Sequence, residues 1–321
     1  MHRQANGHVS RALTIAGSDS GGGAGIQADL KTFCGFDIYG ASCVTALTAQ
    51  NTKGVQSILS MSPMFIETQL ASLQTDIGAD AIKTGMLGDA LVIEAVASVL
   101  SQWRHRGPLV VDPVMVAKGG ARLLPESGID ALRTKLIPLA DVVTPNLPEA
   151  EALSGLAIRD IESAKQAALK IAQYGARTIV IKGGHGDFLS RAAPCVHSDP
   201  VRTQSQGASE PLGTVSDLLL CDGIFTTLTT ARVPGIRTHG TGCTFSAAIT
   251  ACLARGVGMV DAIATARRYV YSAIESARDW DLGTGHGPID HTAKVVLSSG
   301  LVGGHPYILQ ENGWSSQSQN E

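Results

Sequence analysis

The sequence has few charged residues, no dominant sign of charge and no long apolar run. Charged residues make up 17% of the 321 positions, and 25 basic against 28 acidic side chains leave a net charge of -3. Such a chain has no general attraction for nucleic acid or for an anionic membrane. No apolar run reaches the roughly 18 residues of a membrane-spanning helix, and the first residues lack the pattern of a signal peptide. We therefore expect neither nucleic acid nor membrane as a partner.

Cysteine is sparse, and its spacing argues against two common uses. The six cysteines never approach the C-x-x-C spacing of a zinc site, and a chain of this length does not suit a disulfide framework. They are Cys34, Cys43, Cys195, Cys221, Cys243 and Cys252. We expect reduced thiols and a cytoplasmic protein.

Apolar residues and glycine are, by contrast, abundant. Apolar residues make up 44% of the chain and glycine occupies 36 positions, which indicates a large core threaded by tight turns. Disorder is excluded for most of the length. The length suits one large α/β domain with tails. We place a disordered tail at residues 1–10, the domain at 11–295 and a C-terminal tail at 296–321.

Short β-branched runs alternate along the chain with longer helical patterns. The continuously apolar runs that predict buried parallel strands are residues 12–16, 44–49, 81–85, 108–112, 141–145 and 178–184. Apolar residues at helical spacing predict helices over 25–33, over 161–172 with a stop at Gly175, and from about 241 to a stop at Gly256. A further helix is expected over 261–278. This alternation predicts an α/β fold with a mostly parallel sheet.

One stretch departs from this rhythm. Residues 187–217 form a polar segment without periodicity, for which we expect an exposed, extended loop. Directly after it, Asp222-Gly223 separates two apolar runs, which is a strong hairpin signal. We expect an antiparallel pair at the edge of the sheet.

Polar or glycine-rich segments follow several of the predicted strands. They are residues 17–25, 83–86, 112, 146 and 182–184. In an open α/β sheet, ligands bind beyond the carboxyl ends of the strands, so these segments would converge on one site. Each segment taken alone is also explained as an ordinary turn, because Gly, Asp and Asn favour turns.

The glycine loop SDSGGGAGIQAD over residues 18–29 matches neither of two common nucleotide-binding templates. It lacks the Lys-Ser/Thr of a Walker A loop and the third glycine of the Rossmann fingerprint. What it implies is a close approach of the backbone to a flat or anionic ligand. Asp29, one turn into the helix, either faces that ligand or complements the helix dipole.

The segment Thr238-His239-Gly240-Thr241-Gly242-Cys243 opens a predicted helix. Its glycines allow successive N–H groups at the helix start to point at one spot, which predicts an anion hole. A thiol there would have its thiolate favoured, so Cys243 is a candidate general base for a hydroxyl that attacks a phosphoryl group. The alternative is a small buried cysteine that packs at the helix start.

Three further strand ends carry candidate groups. Asn146 and Glu149 put an amide and a carboxylate one turn apart, and a carboxylate beside phosphates is a typical holder of magnesium; capping alone explains Asn146. Lys182 precedes two glycines. Gln50 has an amide suited to a heteroaromatic ring that bears an exocyclic amine beside a ring nitrogen. Asp112 begins a segment whose Gly-Gly stretch suits a lid over the substrate.

Seven ordered segments together resemble the hydroxymethylpyrimidine and phosphomethylpyrimidine kinases of thiamine biosynthesis, in the ribokinase-like superfamily. These segments are SDSGGGAGIQADLKTF, TALTAQNT, KTGML, DPVMVAKGG, TPNLPEAE, IKGGH and HGTGCTFSAAI. The resemblance runs from about residue 12 to about residue 291. It implies a ribokinase-like three-layer α/β/α sandwich, a homodimer, and use of ATP and Mg2+. The implied activity is phosphorylation of 4-amino-5-hydroxymethyl-2-methylpyrimidine and then of its monophosphate.

The resemblance also implies roles for particular residues. Cys243 would be the base, and the amides of Gly240, Thr241, Gly242 and Cys243 would form the anion hole. Residues implied for the pyrimidine pocket are Gln50, Gly17, Asp29, Met86 and Val114. Residues implied for ATP are Asn146, Lys182, Asp112 and Thr241, and the residue implied for the metal is Glu149.

Two other functions remain open from the sequence. A related enzyme that phosphorylates pyridoxine or pyridoxal has the same cysteine, although Gln50 favours an aminopyrimidine because pyridoxine has no exocyclic amine. A catalytically silent binding protein would keep the fold, but the intact Cys243, Glu149 and glycine loop count against it. A dehydrogenase is disfavoured by the missing Rossmann fingerprint.

Overall fold

The computed structural model describes residues 1–4, 7–117, 120, 122–184, 213–235, 238–310 and 313–316. Within these ranges, eleven strands form a single sheet in the order β11-β10-β9-β8-β7-β6-β5-β4-β1-β2-β3. The strands are β1 (Arg11–Asp19), β2 (Tyr39–Asn51), β3 (Gly54–Ser60), β4 (Ala81–Thr84), β5 (Leu109–Val111), β6 (Val142–Val143), β7 (Thr178–Ile181), β8 (Thr214–Cys221), β9 (Ile224–Ala231), β10 (Pro306–Gln310) and β11 (Gly313–Ser316). All of the strands predicted from the sequence are confirmed.

Helices cover both faces of this sheet. They are α1 (Gly25–Gly35), α2 (Pro63–Thr75), α3 (Ala90–Gln102), α4 (Glu126–Ala131), α5 (Leu147–Ser154), α6 (Ile161–Ala172), α7 (Thr241–Ala254) and α8 (Met259–Ser276). One core joins the sheet to α1, α7 and α8, and a second core joins its other face to α2 through α6. The three-layer α/β/α sandwich is therefore confirmed. Across the described ranges, no helix combines the length and the apolarity needed to cross a membrane.

The two cores explain why the central strands are continuously apolar. In β1, Ala12 is buried on the face of α1 and α7, whereas Leu13 and Ile15 are buried on the opposite face. Side chains alternate between the faces of a sheet, so a strand covered on both sides needs apolar residues throughout. The neighbours β2, β1, β4, β5, β6 and β7 run parallel. Their carboxyl ends consequently open onto one edge.

The predicted hairpin is confirmed as β8 and β9, but it is not at the edge of the sheet, because β10 and β11 lie beyond it. Asp222 and Gly223 both have positive φ, 47° and 82°, as a tight two-residue hairpin turn requires. β10 pairs with β9 and β11 pairs with β10, so the edge of the sheet lies two strands beyond the hairpin. Residues 214–217 begin β8 and are not loop; of the predicted 187–217 loop, residues 187–212 lie outside the described residues.

The chain ends differ from the predicted tails. Tyr307 of β10 is buried in the core beside α8, and Trp314 of β11 packs against that core and donates from Nε1 to Ser298 Oγ at 3.1 Å. Residues 306–310 and 313–316 therefore belong to the sheet, because their aromatic side chains supply apolar surface that the core takes up. Near the start, the His8 ring contacts Asp80 at 2.9 Å. The domain limits 11–295 stay a prediction.

Candidate active site

The carboxyl ends of the parallel strands open onto a cavity of about 970 Å³. Most residues predicted for a site line this cavity, although they come from distant parts of the sequence. They are Gly17, Gln50, Met86, Asp112, Val114, Asn146, Glu149, Lys182, Gly240, Thr241, Gly242 and Cys243. The structure therefore brings together all of the predicted site residues except Asp29. The predicted lid lies partly outside the described residues, since 118–119 and 121 are not among them.

The start of α7 has the features of an anion site. Gly240 precedes the helix with φ 81°, and a Cβ atom there would collide with the carbonyl oxygen of Gly23. No side chain caps the helix. The Thr241 N–H donates to the Thr238 carbonyl at 3.5 Å, and the N–H groups of Gly242 and Cys243 remain available to a ligand. A Cβ at Gly242 would lie only 3.5 Å from Lys182 Nζ. Main-chain N–H groups and an ammonium group thus face the same space.

The glycine loop after β1 packs directly against this helix start. A Cβ atom at Gly23 would lie only 2.7 Å from His239 Cδ2, which is too close. A side chain at position 23 is therefore incompatible with the close approach of the two segments. Gly25, with φ 56°, begins α1, and its N–H lies close enough to the Cys243 sulfur to lower the pKa of that thiol. The sequence predicted close backbone approach to a ligand, and the structure shows that the two glycine segments also approach each other. The thiol of Cys243 consequently lies between the N-termini of α1 and α7.

The Cys243 thiol is not ionised in the free protein. Burial raises the pKa of this thiol to about 11, the Lys83 ammonium opposes the rise, and the carboxylates of Asp29 and Asp112 add to it. The expectation that the helix start favours the thiolate is therefore wrong for the free protein. The cost of removing the thiolate from water outweighs the opposing effects of Lys83 and the Gly25 N–H.

Beneath the cavity lies a fully buried ion pair. Lys83 Nζ donates to Asp29 Oδ1 at 2.8 Å, Thr14 Oγ1 donates to Asp29 Oδ2 at 2.7 Å, and both charged side chains are 0% exposed. Burial acts to lower the pKa of Lys83, but the nearby Asp29, Cys243 and Asp112 outweigh it and raise that pKa. Lys83 is therefore a cation.

This ion pair changes the assignment of one predicted residue. Asp29 does not line the cavity, so the structure does not place it against a substrate, because its carboxylate faces Lys83. Sequence reasoning placed Lys83 in the strand-end segment 83–86 but gave it no role or partner. The available signal was a lysine in the middle of the short buried strand β4, where a charge needs a partner.

A second ion pair lies beside the start of α7. Lys182 Nζ donates to Asp112 Oδ1 at 3.1 Å, and Ser246 Oγ donates to Asp112 Oδ2 at 3.3 Å. Asn146 and Glu149 form a capping box on α5, with the Glu149 N–H donating to Asn146 Oδ1 at 2.9 Å and the Asn146 N–H to Glu149 Oε2 at 2.8 Å. The capping interpretation of Asn146 is thus correct, and both residues nevertheless line the cavity.

The Glu149 carboxyl titrates close to neutral pH. Burial raises its pKa to about 7, Lys182 opposes the rise and the carboxylate of Asp112 adds to it. Across the described ranges, no three His, Cys, Asp or Glu side chains cluster as metal ligands. A cation here would be held by one or two carboxylates together with ligand oxygens and water, which is the usual arrangement for magnesium.

Gln50 reaches the cavity from the end of β2. The pairing of β2 with β3 shifts register between Ala49 and Gln50, and such a bulge redirects the side chains that follow it. The Gln50 amide lies 3.3 Å from His239 Nε2, and that nitrogen lies 3.0 Å from Asp19 Oδ2. Asp19 and His239 also line the cavity. Sequence reasoning gave neither a role of its own, and placed them only within the glycine loop and the segment that opens α7.

Comparison with known proteins agrees with this geometry. The model of the family described as phosphomethylpyrimidine kinase matches residues 19–290, which include every cavity residue discussed above except Gly17. The chain belongs to the phosphomethylpyrimidine kinase family. The resemblance seen in the sequence motifs is therefore confirmed.

Two curated relatives match this chain over nearly the whole of their own length. The hydroxymethylpyrimidine/phosphomethylpyrimidine kinase of Haemophilus influenzae is 46% identical over 286 residues, 89% of this chain and 98% of that protein. The protein of the same name from Bacillus subtilis is 40% identical over 285 residues, 89% of this chain and 96% of its own.

Solved structures of a phosphomethylpyrimidine kinase and of pyridoxal kinases have the same fold as this chain. Pyridoxal kinase from Staphylococcus aureus in complex with ADP matches with a TM-score of 0.75 and 37% identity, over 89% of this chain and 95% of that one. Phosphomethylpyrimidine kinase from Clostridium difficile matches with a TM-score of 0.66 and 36% identity, over 83% of this chain and 100% of that one. The ribokinase-like fold is thereby confirmed.

Alkylation tests whether the Cys243 thiol is protonated in this member of the phosphomethylpyrimidine kinase family. At pH 8 without ligands, we expect iodoacetamide to modify the exposed Cys34 at least about tenfold faster than Cys243, because the thiolate is the reacting species. A time course of peptide mass spectrometry measures both rates in one sample. Faster labelling of Cys243 than of Cys34 would show that its thiolate is favoured after all.

Proposed function

We propose that the protein transfers phosphate from ATP to the hydroxymethyl group of 4-amino-5-hydroxymethyl-2-methylpyrimidine, and then to the monophosphate to give the diphosphate, in thiamine diphosphate biosynthesis. The observation that carries this proposal is the position of Cys243 between two helix N-termini, with the Gln50 amide in the same cavity. Curated relatives are named for both pyrimidine kinase activities. Solved relatives hold ADP or AMP-PCP, which supports ATP as the donor.

The phosphate tail of ATP would lie against the start of α7. The N–H groups at the first turn and the Lys182 ammonium converge there, and helix N-termini with neighbouring cations are favourable sites for phosphate. In phosphoryl transfer the protein contributes chiefly position and charge compensation. Asn146 and Thr241, which also line the cavity, would complete the contacts to ATP.

The residues around Glu149 fit a magnesium ion. Glu149 and Asp112 are buried carboxylates that share one cation, Lys182, and burial has left the Glu149 carboxyl with a raised pKa. A divalent cation would compensate both carboxylates. When bound, Mg2+ supplies neutralisation of charge on the phosphates. We propose Glu149, aided by Asp112, as its holder.

Cys243 would accept the proton of the attacking hydroxyl. The hydroxyl oxygen forms a bond to the terminal phosphorus of ATP, and the bond from that phosphorus to the bridging oxygen of ADP breaks. The proton passes to the Cys243 sulfur after the thiol has released its own proton to solvent, because only the thiolate can act as the base. Lys83 and the Gly25 N–H lower the pKa of this thiol, whereas burial raises it. The loose transition state of phosphoryl transfer requires little removal of the proton before the oxygen bonds.

The pyrimidine ring would occupy the side of the cavity near Gln50. Gly17 lies against Met86 there, with 3.3 Å between a Cβ at Gly17 and the Met86 sulfur. A glycine at this position leaves room for a flat ring. Val114 lines the same cavity. An amide offers both a donor and an acceptor, which matches an aminopyrimidine edge.

Phosphorylation of pyridoxal is the second candidate, favoured by one observation. A solved relative at 36% identity and a TM-score of 0.75 is a pyridoxal kinase in complex with pyridoxal. Pyridoxal has no exocyclic amine for Gln50, so we propose the pyrimidine as the main substrate.

We also propose a cytoplasmic homodimer. Several apolar side chains on β2, β3 and α2 are exposed, namely Leu47, Ile58, Leu59, Met64 and Phe65. Exposed apolar surface is a common feature of an interface. Five cysteines in the described ranges are free, which suits a reducing compartment. The net charge of -3 predicts that nucleic acid is not a partner, and this stays a prediction.

One assay tests the proposed function directly. ATP consumption is measured with Mg2+ and, in parallel, hydroxymethylpyrimidine, its monophosphate or pyridoxal. We expect the highest kcat/KM on the two pyrimidines. Higher kcat/KM on pyridoxal would favour the second candidate, and no consumption with any of the three would indicate a catalytically silent protein.

Replacing the proposed base should slow the chemical step. We expect Cys243→Ala to lower kcat on hydroxymethylpyrimidine by about 10²–10⁴, because general base catalysis has this range. Cys252→Ala is the matched control, since Cys252 is a buried cysteine of the same helix that does not line the cavity. Equal rates for Cys243→Ala and the control would reassign Cys243 to packing.

A further inference from the structure

Side chains from the ends of β1 and β2 meet one from the start of α7 on the cavity wall. His239 Nε2 lies 3.0 Å from Asp19 Oδ2 and 3.3 Å from one end of the Gln50 amide. The other end of that amide lies 3.3 Å from Thr48 Oγ1. The neighbours of Gln50 therefore determine which end of the amide is oxygen and which is nitrogen.

Asp19 acts only as an acceptor in this group. Its Oδ2 accepts from the N–H groups of Gly23 at 3.1 Å and Ala24 at 2.8 Å, and its Oδ1 accepts from Gly21 at 2.8 Å. Burial alone would raise the pKa of Asp19, but the hydrogen bonds from His239, Gly21 and Ala24 lower it below the usual value. The ionised carboxylate requires a proton on His239 Nε2. That nitrogen is consequently a donor.

Thr48 imposes the complementary condition at the other end of the amide. Its hydroxyl donates its single proton to the Ser18 carbonyl at 2.8 Å, so the Thr48 oxygen is left as an acceptor. With Nε2 of Gln50 toward His239, two N–H donors face each other and Oε1 faces an oxygen without a free proton. Rotation of the amide by 180° exchanges its ends without moving the heavy-atom positions. In that orientation Gln50 Oε1 shares the single His239 Nε2 proton with Asp19 Oδ2, and Gln50 Nε2 donates to Thr48 Oγ1.

The backbone of Gln50 is fixed as well. Its N–H donates to Ser20 Oγ at 2.8 Å, and the same hydroxyl donates to the Gln50 carbonyl at 2.8 Å. Ser20 belongs to the glycine loop that Asp19 organises. The loop, the end of β2 and the start of α7 thus hold Gln50 as one unit.

We propose that Asp19 and His239 are positioning residues that fix one orientation of the Gln50 amide, and that this orientation makes the protein selective for a 4-aminopyrimidine over the corresponding 4-oxopyrimidine. The inference rests on the proposed function. An aminopyrimidine edge has an N–H donor on the exocyclic amine and an acceptor at the adjacent ring nitrogen, so it pairs with Oε1 and Nε2 of a fixed amide. The oxo ring has an acceptor and an N–H donor at these two positions, which is the reverse pattern.

Neither partner can correct the mismatch with the oxo ring. Turning the ring over would restore the hydrogen bonds but would move its hydroxymethyl group away from Cys243. Turning the amide over would place its N–H donor against the His239 N–H donor and its oxygen against the Thr48 oxygen, which is an acceptor. A glutamine without these neighbours would rotate freely and accept either ring, because its two ends have nearly the same shape.

The test compares kcat/KM for hydroxymethylpyrimidine and for its 4-oxo analogue at saturating ATP. In the unmodified protein we expect a ratio of about 10² in favour of the amine, since two hydrogen bonds are mismatched in the oxo complex. In His239→Leu, which removes the N–H donor, we expect the ratio to fall about tenfold, mainly through KM. His239→Gln retains an N–H donor and should recover part of the ratio.

A double-mutant cycle separates this role from simple packing. Gln50→Met removes the amide, so adding His239→Leu to it should leave the ratio unchanged. The inference is overturned if His239→Leu keeps the full ratio, or if it lowers the ratio equally with and without Gln50. Circular dichroism establishes that each variant is folded. If His239→Leu does not fold, Thr48→Val takes its place, with the same narrowing expected and an unchanged ratio overturning the inference.

The proposed function and this inference fail in different ways. If the unmodified protein phosphorylates neither ring, the proposed function is wrong and selectivity between the rings has no basis. If it phosphorylates the amine and the ratio does not respond to His239, only the inference is wrong.

Discussion

The site depends on the direct contact between two glycine segments. The loop after β1 and the start of α7 approach so closely that a side chain on Gly23 or Gly240 would collide with the opposite segment. This contact places the N-termini of α1 and α7 on either side of Cys243 and brings His239 to Asp19. The glycines are needed because two backbones meet there, in addition to any approach of a ligand. Phosphate binding, the candidate base and ring recognition all follow from this one contact.

Burial and charge oppose each other throughout the cavity. Removal from water raises the pKa of both the Cys243 thiol and the Glu149 carboxyl, so neither group is simply ionised at neutral pH. The cations Lys83 and Lys182 lie beside them, and each is paired with a buried carboxylate. Burying a charge is costly unless it has a partner, and binding of phosphate and a metal ion would change those partners. The free protein therefore holds these groups in a state that its substrates are expected to alter.

The sequence predicted the central strands, the helices α1, α6, α7 and α8 and the twelve cavity residues named above, because strand and helix periods are local and glycine segments mark strand ends. It did not predict β10 and β11, since a short strand such as Pro306–Gln310 is stabilised by pairing with β9, a contact distant in sequence. Asp29 was assigned to the substrate, whereas a lysine on another strand accepts its charge. Asp19 and His239 were missed for the same reason, as 220 positions separate them and their contact exists only in the folded chain.

A crystal structure with hydroxymethylpyrimidine and a non-hydrolysable ATP analogue tests the central claim most directly. The account predicts that the terminal phosphate accepts hydrogen bonds from the main-chain N–H groups of Gly242 and Cys243. It also predicts that the hydroxymethyl oxygen lies between that phosphate and the Cys243 sulfur, as in-line transfer requires. A phosphate tail bound away from the start of α7, with the cavity otherwise filled by the pyrimidine, would contradict it.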